Sequence, residues 1–235
     1  MRLVILPGLM CDGRMFADTV AAFDAQVIDG FYDGADGIGA MADFVLARLP
    51  DRCALLGHSM GGRIALELWR RAPERIDRIA IANSGIHPVR PGEAEARHAL
   101  LDLGRREGVA ALVDRWLPPM VGPEAEPGTA VYASLHAMAV DAGLDIFAAQ
   151  IRALLGRPDA AAVLPTLTCP VAIIGAEHDG WSPPAQQRAI AAAIPNAQLA
   201  MIPTAGHMAS AENPPIFNRV LADWLARPSD LPSRG

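Results

Sequence analysis

Lysine is absent from this chain of 235 residues, and all 20 of its positively charged side chains are arginines. Without a lysine amine the protein cannot form the Schiff base of pyridoxal phosphate chemistry or build a Walker-type phosphate loop. Acidic residues outnumber basic ones, which gives a formal net charge of −6. A nucleic-acid partner is therefore not expected, because phosphate binding depends on clustered positive charge.

Cysteines and long apolar runs are also scarce. The three cysteines, Cys11, Cys53 and Cys169, have no metal-ligand spacing, so we expect free thiols in a reducing compartment and no metal site. The apolar start at residues 3–6 is too short for a signal peptide. No apolar run approaches the roughly 20 residues that span a bilayer. These absences favour a cytoplasmic protein without a membrane partner, and they leave its oligomeric state open.

Short apolar or β-branched runs alternate with helical patterns along most of the chain, and 51% of the residues are hydrophobic. This alternation predicts an α/β fold with a mostly parallel, doubly wound sheet and helices on both faces. Strands are predicted near residues 3–6, 26–28, 53–56, 79–82, 171–174 and 198–202. Helices are predicted near residues 39–48, 60–71, 184–193 and 214–225, and the tail from Arg227 is expected to fray.

One stretch, residues 86–165, interrupts the alternation because its pattern is helical only, with breaks at proline and glycine clusters. Such a block between two strands predicts a helical cap over the edge of the sheet. We therefore expect a core formed by residues 1–85 and 166–235, with the cap as an insertion. Trp116 and Met120 in the cap, and Trp181 outside it, are candidate substrate-binding residues.

The segment Gly57-His58-Ser59-Met60-Gly61 lies between a predicted buried strand and a predicted amphipathic helix. A serine on such a sharp turn is held in strained backbone geometry with its hydroxyl exposed. Side chains two residues before and after it would collide with the neighbouring strand and helix, so glycine is required at both places. Ser59 is therefore the candidate nucleophile.

A serine nucleophile needs a base and an acid that orients the base. Among six histidines, His207 lies in a loop directly after the last predicted strand, where it would reach the end of the sheet to which Ser59 points. Asp179 follows the strand before that and is the candidate acid, with Glu177 as the main alternative. His58 is expected to pack beside the turn, and His87 is a candidate for the pocket wall.

Acyl transfer also needs two donors for the oxyanion of the tetrahedral intermediate. The backbone amide of Met60 directly follows the nucleophile and is the first candidate. The second lies in the loop after the first strand, where Gly8 permits close approach of the backbone. Leu9 is the preferred donor there, with Met10 as the near alternative.

These segments together resemble the α/β-hydrolase superfamily, over essentially the whole chain. The resemblance rests on Leu6-Pro-Gly-Leu9, Gly57-His-Ser-Met-Gly-Gly62, the segment from Gly175 through Asp179 to Pro183, and Ala205-Gly-His-Met208. Within this superfamily the chain is similar to small bacterial carboxylesterase-type hydrolases with a helical cap, among them pimeloyl-ester esterases and enol-lactonases. In two respects the sequence departs from the family pattern: its first predicted strand corresponds to the family's third, so the usual N-terminal hairpin is not expected, and Pro7-Gly8 replaces the common His-Gly of the oxyanion turn.

The sequence thus predicts a serine hydrolase that cleaves a small-molecule carboxylic ester with a small to medium acyl chain, without a cofactor. The alternatives with the same triad are thioester, lactone and carbon–carbon bond cleavage. A ligand-binding sensor on a hydrolase scaffold is a further alternative from another class. The resemblance disfavours the dehalogenase and epoxide-hydrolase branches, which attack through a carboxylate.

Overall fold

The sheet in a computed structural model, which describes residues 1–228, contains six strands in the order β2-β1-β3-β4-β5-β6. All five strand pairs are parallel, which confirms the predicted α/β architecture. The strands are β1 (Arg2–Leu6), β2 (Gln26–Val27), β3 (Cys53–His58), β4 (Ile76–Ala82), β5 (Val171–Ala176) and β6 (Gln198–Ile202). Most of the tail that is expected to fray lies outside the described residues.

Nine α-helices surround or cap the sheet within the described part of the chain. They are α1 (Ala17–Phe23), α2 (Ile38–Leu46), α3 (Met60–Arg71), α4 (Glu93–Glu107), α5 (Val109–Trp116), α6 (Ala130–Leu155), α7 (Pro184–Ala192), α8 (Ala209–Glu212) and α9 (Pro214–Leu225). Helices α2 and α3 pack together on one face of the sheet, and α1 and α9 pack together on the other. This arrangement follows from right-handed connections that run outward in both directions from β1.

Strand order reverses next to β1, and this reversal locates the site. The chain leaves β1 toward β2 on one side and returns to β3 on the other side. The loops after β1 and β3 therefore separate at their carboxyl ends and leave a crevice, which is where open α/β sheets bind ligands. Ser59 directly follows β3, and Leu9 lies in the loop after β1.

The segment between β4 and β5 contains α4, α5 and α6, which contact one another. Gly143, with φ of 81°, bends α6 near its middle. Their buried side chains join the same apolar core as the sheet. No helix in residues 1–228 is long and apolar enough to cross a membrane.

Candidate active site

The backbone at Ser59 is strained, with φ of 52° and ψ of −113°. A non-glycine residue at positive φ is uncommon and costs of order 1–3 kcal/mol, so the surrounding structure must enforce it. Close packing on both sides does so: a Cβ on Gly57 would overlap the Gly61 backbone, and a Cβ on Gly61 would overlap the Leu6 carbonyl. The turn presents the Ser59 side chain at the crevice and starts α3 directly after it.

His207 and Asp179 reach this serine from the loops after β6 and β5. The Oγ of Ser59 lies 2.9 Å from Nε2 of His207, and Nδ1 of His207 lies 2.9 Å from Oδ2 of Asp179. His207 and Asp179 are buried. Glu177, the alternative acid, is exposed and accepts a hydrogen bond from the backbone of Thr204 instead. The structure thus brings the three candidate residues into one hydrogen-bonded chain.

The Asp179 carboxylate is held by donors on both of its oxygens. Oδ1 accepts from the backbone amides of Trp181 at 2.9 Å and Ser182 at 2.8 Å, and Oδ2 also accepts from Nδ2 of Asn83 at 3.0 Å. Burial opposes ionisation, but His207 and these hydrogen bonds outweigh it and lower the pKa of Asp179 to about 2. The carboxylate is therefore ionised at neutral pH and fixed in orientation.

Asn83 was not among the residues selected from the sequence. It directly follows β4, with φ of 49°, and is fully buried. It occupies the place after the strand that neighbours β5, so its amide reaches Asp179. An asparagine directly after a buried strand that neighbours the acid's strand is the signal that points to it.

His58 packs beside the turn, as expected. Its Nε2 lies 2.9 Å from the carbonyl oxygen of His207, and its ring meets the His207 ring edge to face at 5.2 Å between centroids. Burial, and then the neighbouring His207, lower the pKa of His58 to about 3. A neutral His58 can donate to the His207 carbonyl and so hold the loop that carries the imidazole.

The two amides expected to bind an oxyanion, those of Leu9 and Met60, both belong to residues that line the cavity above Ser59. The amide of Met10, the alternative donor, already donates to Oε1 of Gln150 at 2.8 Å. Within residues 1–228, no hydrogen bond is recorded for the Leu9 amide. The geometry therefore favours Leu9 over Met10.

Contacts with two segments of the cap, α6 and the segment that contains Gly122, hold the site loops in place. Gln150, on α6 and fully buried, fixes the loop after β1 through Met10. Glu212, on α8, accepts from the amides of Gly122 at 2.6 Å, Gly206 at 2.9 Å and Met208 at 2.9 Å. It thereby joins the loop that carries His207 to the cap segment that contains Gly122.

The cavity above Ser59 has a volume of about 370 Å³. Trp116, Met120 and Trp181, the residues predicted to bind substrate, all line it, and so does His87. Its wall also contains charged residues that the sequence did not single out: Arg63, Arg90, Glu93, Arg97 and Arg157. Helical spacing in α3 and α4 gave no signal for Arg63, Glu93 and Arg97, because charged residues on a helix most often face solvent. Arg90 and Arg157 lie outside the helices.

Comparison with known proteins agrees with this architecture. The family model of the Alpha/beta hydrolase family matches residues 3–220. The relative named "Putative carbamate hydrolase RutD" from Pseudomonas savastanoi pv. phaseolicola is 27% identical, over 95% of this chain and 93% of its own. The protein of the same name from Variovorax paradoxus is 30% identical, over 86% of this chain and 76% of its own.

Solved structures with this fold include esterases and a lactonase. The thermophilic esterase from Thermogutta terrifontis, with malate bound, has a TM-score of 0.85 at 25% identity and covers 96% of this chain and 89% of its own. The enol-lactonase from Burkholderia xenovorans has a TM-score of 0.79 at 25% identity, with 96% and 92% covered. The parallel sheet, the turn at Ser59 and the match over residues 3–220 lead to one conclusion: this chain belongs to the alpha/beta hydrolase family and is a hydrolase.

Proposed function

We propose that the protein is a serine hydrolase that cleaves a carboxylic ester of small to medium acyl chain through an acyl-enzyme intermediate. The observation that carries this proposal is the chain of two 2.9 Å hydrogen bonds from Ser59 through His207 to Asp179. Such a chain activates a hydroxyl, because the imidazole accepts the proton and the carboxylate stabilises the resulting cation.

In the first half of the reaction, Oγ of Ser59 attacks the ester carbonyl carbon and its proton moves to Nε2 of His207. The carbonyl oxygen gains the negative charge, and the amides of Leu9 and Met60 donate to it. The C–O bond to the alcohol then breaks, and the imidazolium of His207 returns its proton to the departing oxygen. The acyl group remains on Ser59 as an ester.

In the second half, a water molecule attacks the acyl carbon while His207 accepts its proton. The bond to Ser59 breaks, the serine oxygen regains a proton from His207, and the acid is released. The apolar side chains of Trp116 and Met120 line the cavity and provide a surface for the acyl chain. No step calls for a metal or an organic cofactor.

The first prediction concerns the nucleophile. Replacement Ser59→Ala removes the attacking oxygen and should lower kcat for a p-nitrophenyl ester by at least about 10³-fold. The measurement is p-nitrophenolate release, with covalent labelling of the wild type by a fluorophosphonate probe. Ser134→Ala, at an exposed position on α6, is the matched control and should keep wild-type activity. Retention of activity and labelling in Ser59→Ala would remove Ser59 from this role.

A second set of substrates suits the same residues. The names of the relatives, carbamate hydrolase and enol-lactonase, favour carbamate or lactone hydrolysis as the alternative. Thioester and carbon–carbon bond cleavage use the same triad. A panel of short esters, lactones, carbamates and acyl thioesters, compared by kcat/KM, separates these activities. A sensor role would instead give probe labelling without multiple turnovers on any of them.

A further inference from the structure

Three arginines and one glutamate form a charged cluster in the wall of the cavity that contains Ser59. The cluster consists of Arg63 on α3, Glu93 and Arg97 on α4, and Arg157 after α6. Three guanidinium groups against one carboxylate leave two positive charges unbalanced among these four residues. The rest of the wall includes apolar side chains such as Trp116 and Met120.

Glu93 is already fully engaged by two of the arginines. Arg157 donates to both of its oxygens, at 2.6 and 2.7 Å, and Arg97 donates to one of them at 3.0 Å. These contacts outweigh the effect of burial and lower the pKa of Glu93 to about 2. The Glu93 carboxylate is therefore ionised, and both of its oxygens are already paired with Arg97 and Arg157.

Arg63 is the arginine of this four-residue cluster that forms no ion pair with a carboxylate of the described residues 1–228. It is only 7% exposed; one terminal nitrogen donates to the carbonyl of His87 at 2.8 Å, and the other, Nη1, is buried without a hydrogen bond. The charges of Glu93 and Asp159 both act on Arg63, but neither carboxylate forms an ion pair with it within the described residues. Asp159 accepts from the backbone of Ala161 instead. Burial, and then the charge of Arg157, lower the pKa of Arg63 to about 9, which leaves it charged at neutral pH.

A buried guanidinium without an ion-pair partner is unfavourable unless a bound group supplies the opposite charge at its side. Arg63 also lies four residues after Ser59, so the rise along α3 separates them by about 6 Å, roughly one helical turn. An anion beside Arg63 and a scissile carbonyl at Ser59 would then fit within one small molecule.

We propose that the substrate carries a carboxylate, which Arg63 and Arg97 bind at the inner wall of the cavity while the ester or lactone carbonyl lies at Ser59. This inference rests on the proposed function and narrows its substrate class to esters or lactones of a dicarboxylic or hydroxydicarboxylic acid. Arginine suits this role because its planar fork matches the geometry of a carboxylate. Arg157 holds Glu93 and so positions Arg97.

The kinetic test compares p-nitrophenyl hydrogen glutarate, which carries a free carboxylate, with its neutral methyl ester. A charge-assisted hydrogen bond is worth about tenfold or more in affinity, so the wild type should prefer the charged ester by at least about tenfold in kcat/KM. That preference ratio should fall about tenfold in Arg63→Gln and in Arg97→Gln, mainly through KM. Arg63→Lys keeps the charge and should retain more of the ratio than Arg63→Gln.

The control is Arg188→Gln, at an exposed position on α7 away from the cavity lining, which should leave both esters and their ratio unchanged. The unfolding temperature of each variant shows that it is folded. Absence of a preference in the wild type would overturn the inference. An equal fall in kcat/KM for both esters in folded Arg63→Gln, with the preference ratio unchanged, would overturn the inference as well.

A binding experiment separates this inference from the proposed function. Calorimetric titration of the Ser59→Ala variant with glutarate, and with the neutral diamide glutaramide, needs no catalysis. Glutarate should bind, and glutaramide should bind at least about tenfold more weakly. An added Arg63→Gln substitution should lower the affinity for glutarate by a similar factor. If the Ser59→Ala variant binds glutarate but the wild type turns over no ester, the anion site is supported and the proposed hydrolase function is wrong. Equal binding of the two ligands would sink the anion site alone.

Discussion

His58 is an ionisable side chain in a place where ionisation is disfavoured. It is 2% exposed, it precedes Ser59 in the chain, and its pKa falls from 6.5 to about 3. In the unfolded chain the same imidazole takes up a proton near pH 6.5. Between pH 6.5 and about 3 the unfolded state therefore binds a proton that the folded state does not, so the stability of the fold decreases as the pH falls.

Replacement of His58 by a residue that does not titrate should therefore make the stability of the fold less sensitive to acid. His58→Gln keeps an amide donor for the carbonyl of His207 but cannot titrate. Between pH 6.5 and 4.5 its free energy of unfolding should fall less steeply than that of the wild type, by up to about 1.4 kcal/mol per pH unit. Denaturant unfolding at a series of pH values measures the slope.

The control for this series is His98→Gln, at an exposed position on α4, which should keep the wild-type slope. Asp179 and Glu93, each with a pKa near 2, stabilise the fold above pH 4 and lose that contribution below it in every variant. If His58→Gln reproduced the wild-type slope above pH 4.5, another group would have to account for the acid sensitivity.

A very short element ties the cap to the loop that carries His207. The α8 helix has four residues, yet its Glu212 receives three backbone amides, one from the cap and two from the His207 loop. The backbone amide of His207 also donates to the carbonyl of Met120, in the cap, at 2.6 Å. The position of His207 is thus set in part by residues of the segment between β4 and β5.

Glu212→Gln tests this connection at the scale of the element. The amide side chain supplies one acceptor oxygen instead of two and places an N–H group near other donors. We expect a loss of about 1–3 kcal/mol in stability and a lower kcat, because the His207 loop is no longer held. Thermal unfolding and ester hydrolysis measure the two effects. Glu107→Gln, at the exposed end of α4, should change neither, and an unchanged kcat in Glu212→Gln would show that the loop keeps its position alone.

The six strands and helices α2, α3, α7 and α9 agree with the sequence prediction to within a few residues, whereas α1 and α8 were not predicted. Apolar runs such as residues 53–56 are fully buried as β3, and amphipathic spacing gave α3 its bounds. The turn from Gly30 to Gly34 could not be predicted in this way, because Phe31, Tyr32 and Asp33 adopt positive φ between the two glycines. This conformation is disfavoured for each residue alone, and it is compensated only in the folded protein, where Tyr32 donates to the carbonyl of Pro7 at 2.7 Å.

Some residues of the candidate site could likewise be selected from the sequence, and others could not. Ser59, His207 and Asp179 could be selected because short motifs after strands identify them. Gln150 and Arg63 could not, because each lies on a helix whose pattern gives no reason to choose it and acquires a partner or an unpartnered charge only through tertiary packing. Local patterns indicate the candidate triad, whereas the partners of Gln150 and Arg63 depend on contacts between residues far apart in the chain.

For the molecule as a whole, the three thiols report on how tightly the fold is closed. Cys11, Cys53 and Cys169 are free and buried, and burial raises the pKa of each to about 12. A thiol reagent attacks only the thiolate, and only where it can reach it. Reaction of Cys53 and Cys169 in the native protein therefore requires the structure to open.

We predict that a disulfide reagent such as dithionitrobenzoate modifies less than about one thiol per native chain within minutes, and all three cysteines in concentrated guanidinium chloride. The released chromophore gives the count directly. A ligand in the cavity should slow the reaction of Cys11 further, because Cys11 lines that cavity. Rapid modification of Cys53 or Cys169 in the native protein would contradict the closed core.

Gln150 and Glu212 hold the cap against the loops of the site, and this limits how molecules can reach Ser59. The exposed residues of the cavity wall are residues 90–92 and Trp181, which is 37% exposed, so we expect molecules to enter on this side while Gln150 and Glu212 hold the cap in place. A diffusing anion meets the guanidinium of Arg90 there first and then the inner arginines. Such a gradient of positive potential speeds capture at low salt and fades as ionic strength rises, which gives a protein with an overall negative charge an attractive route for substrates of the same sign.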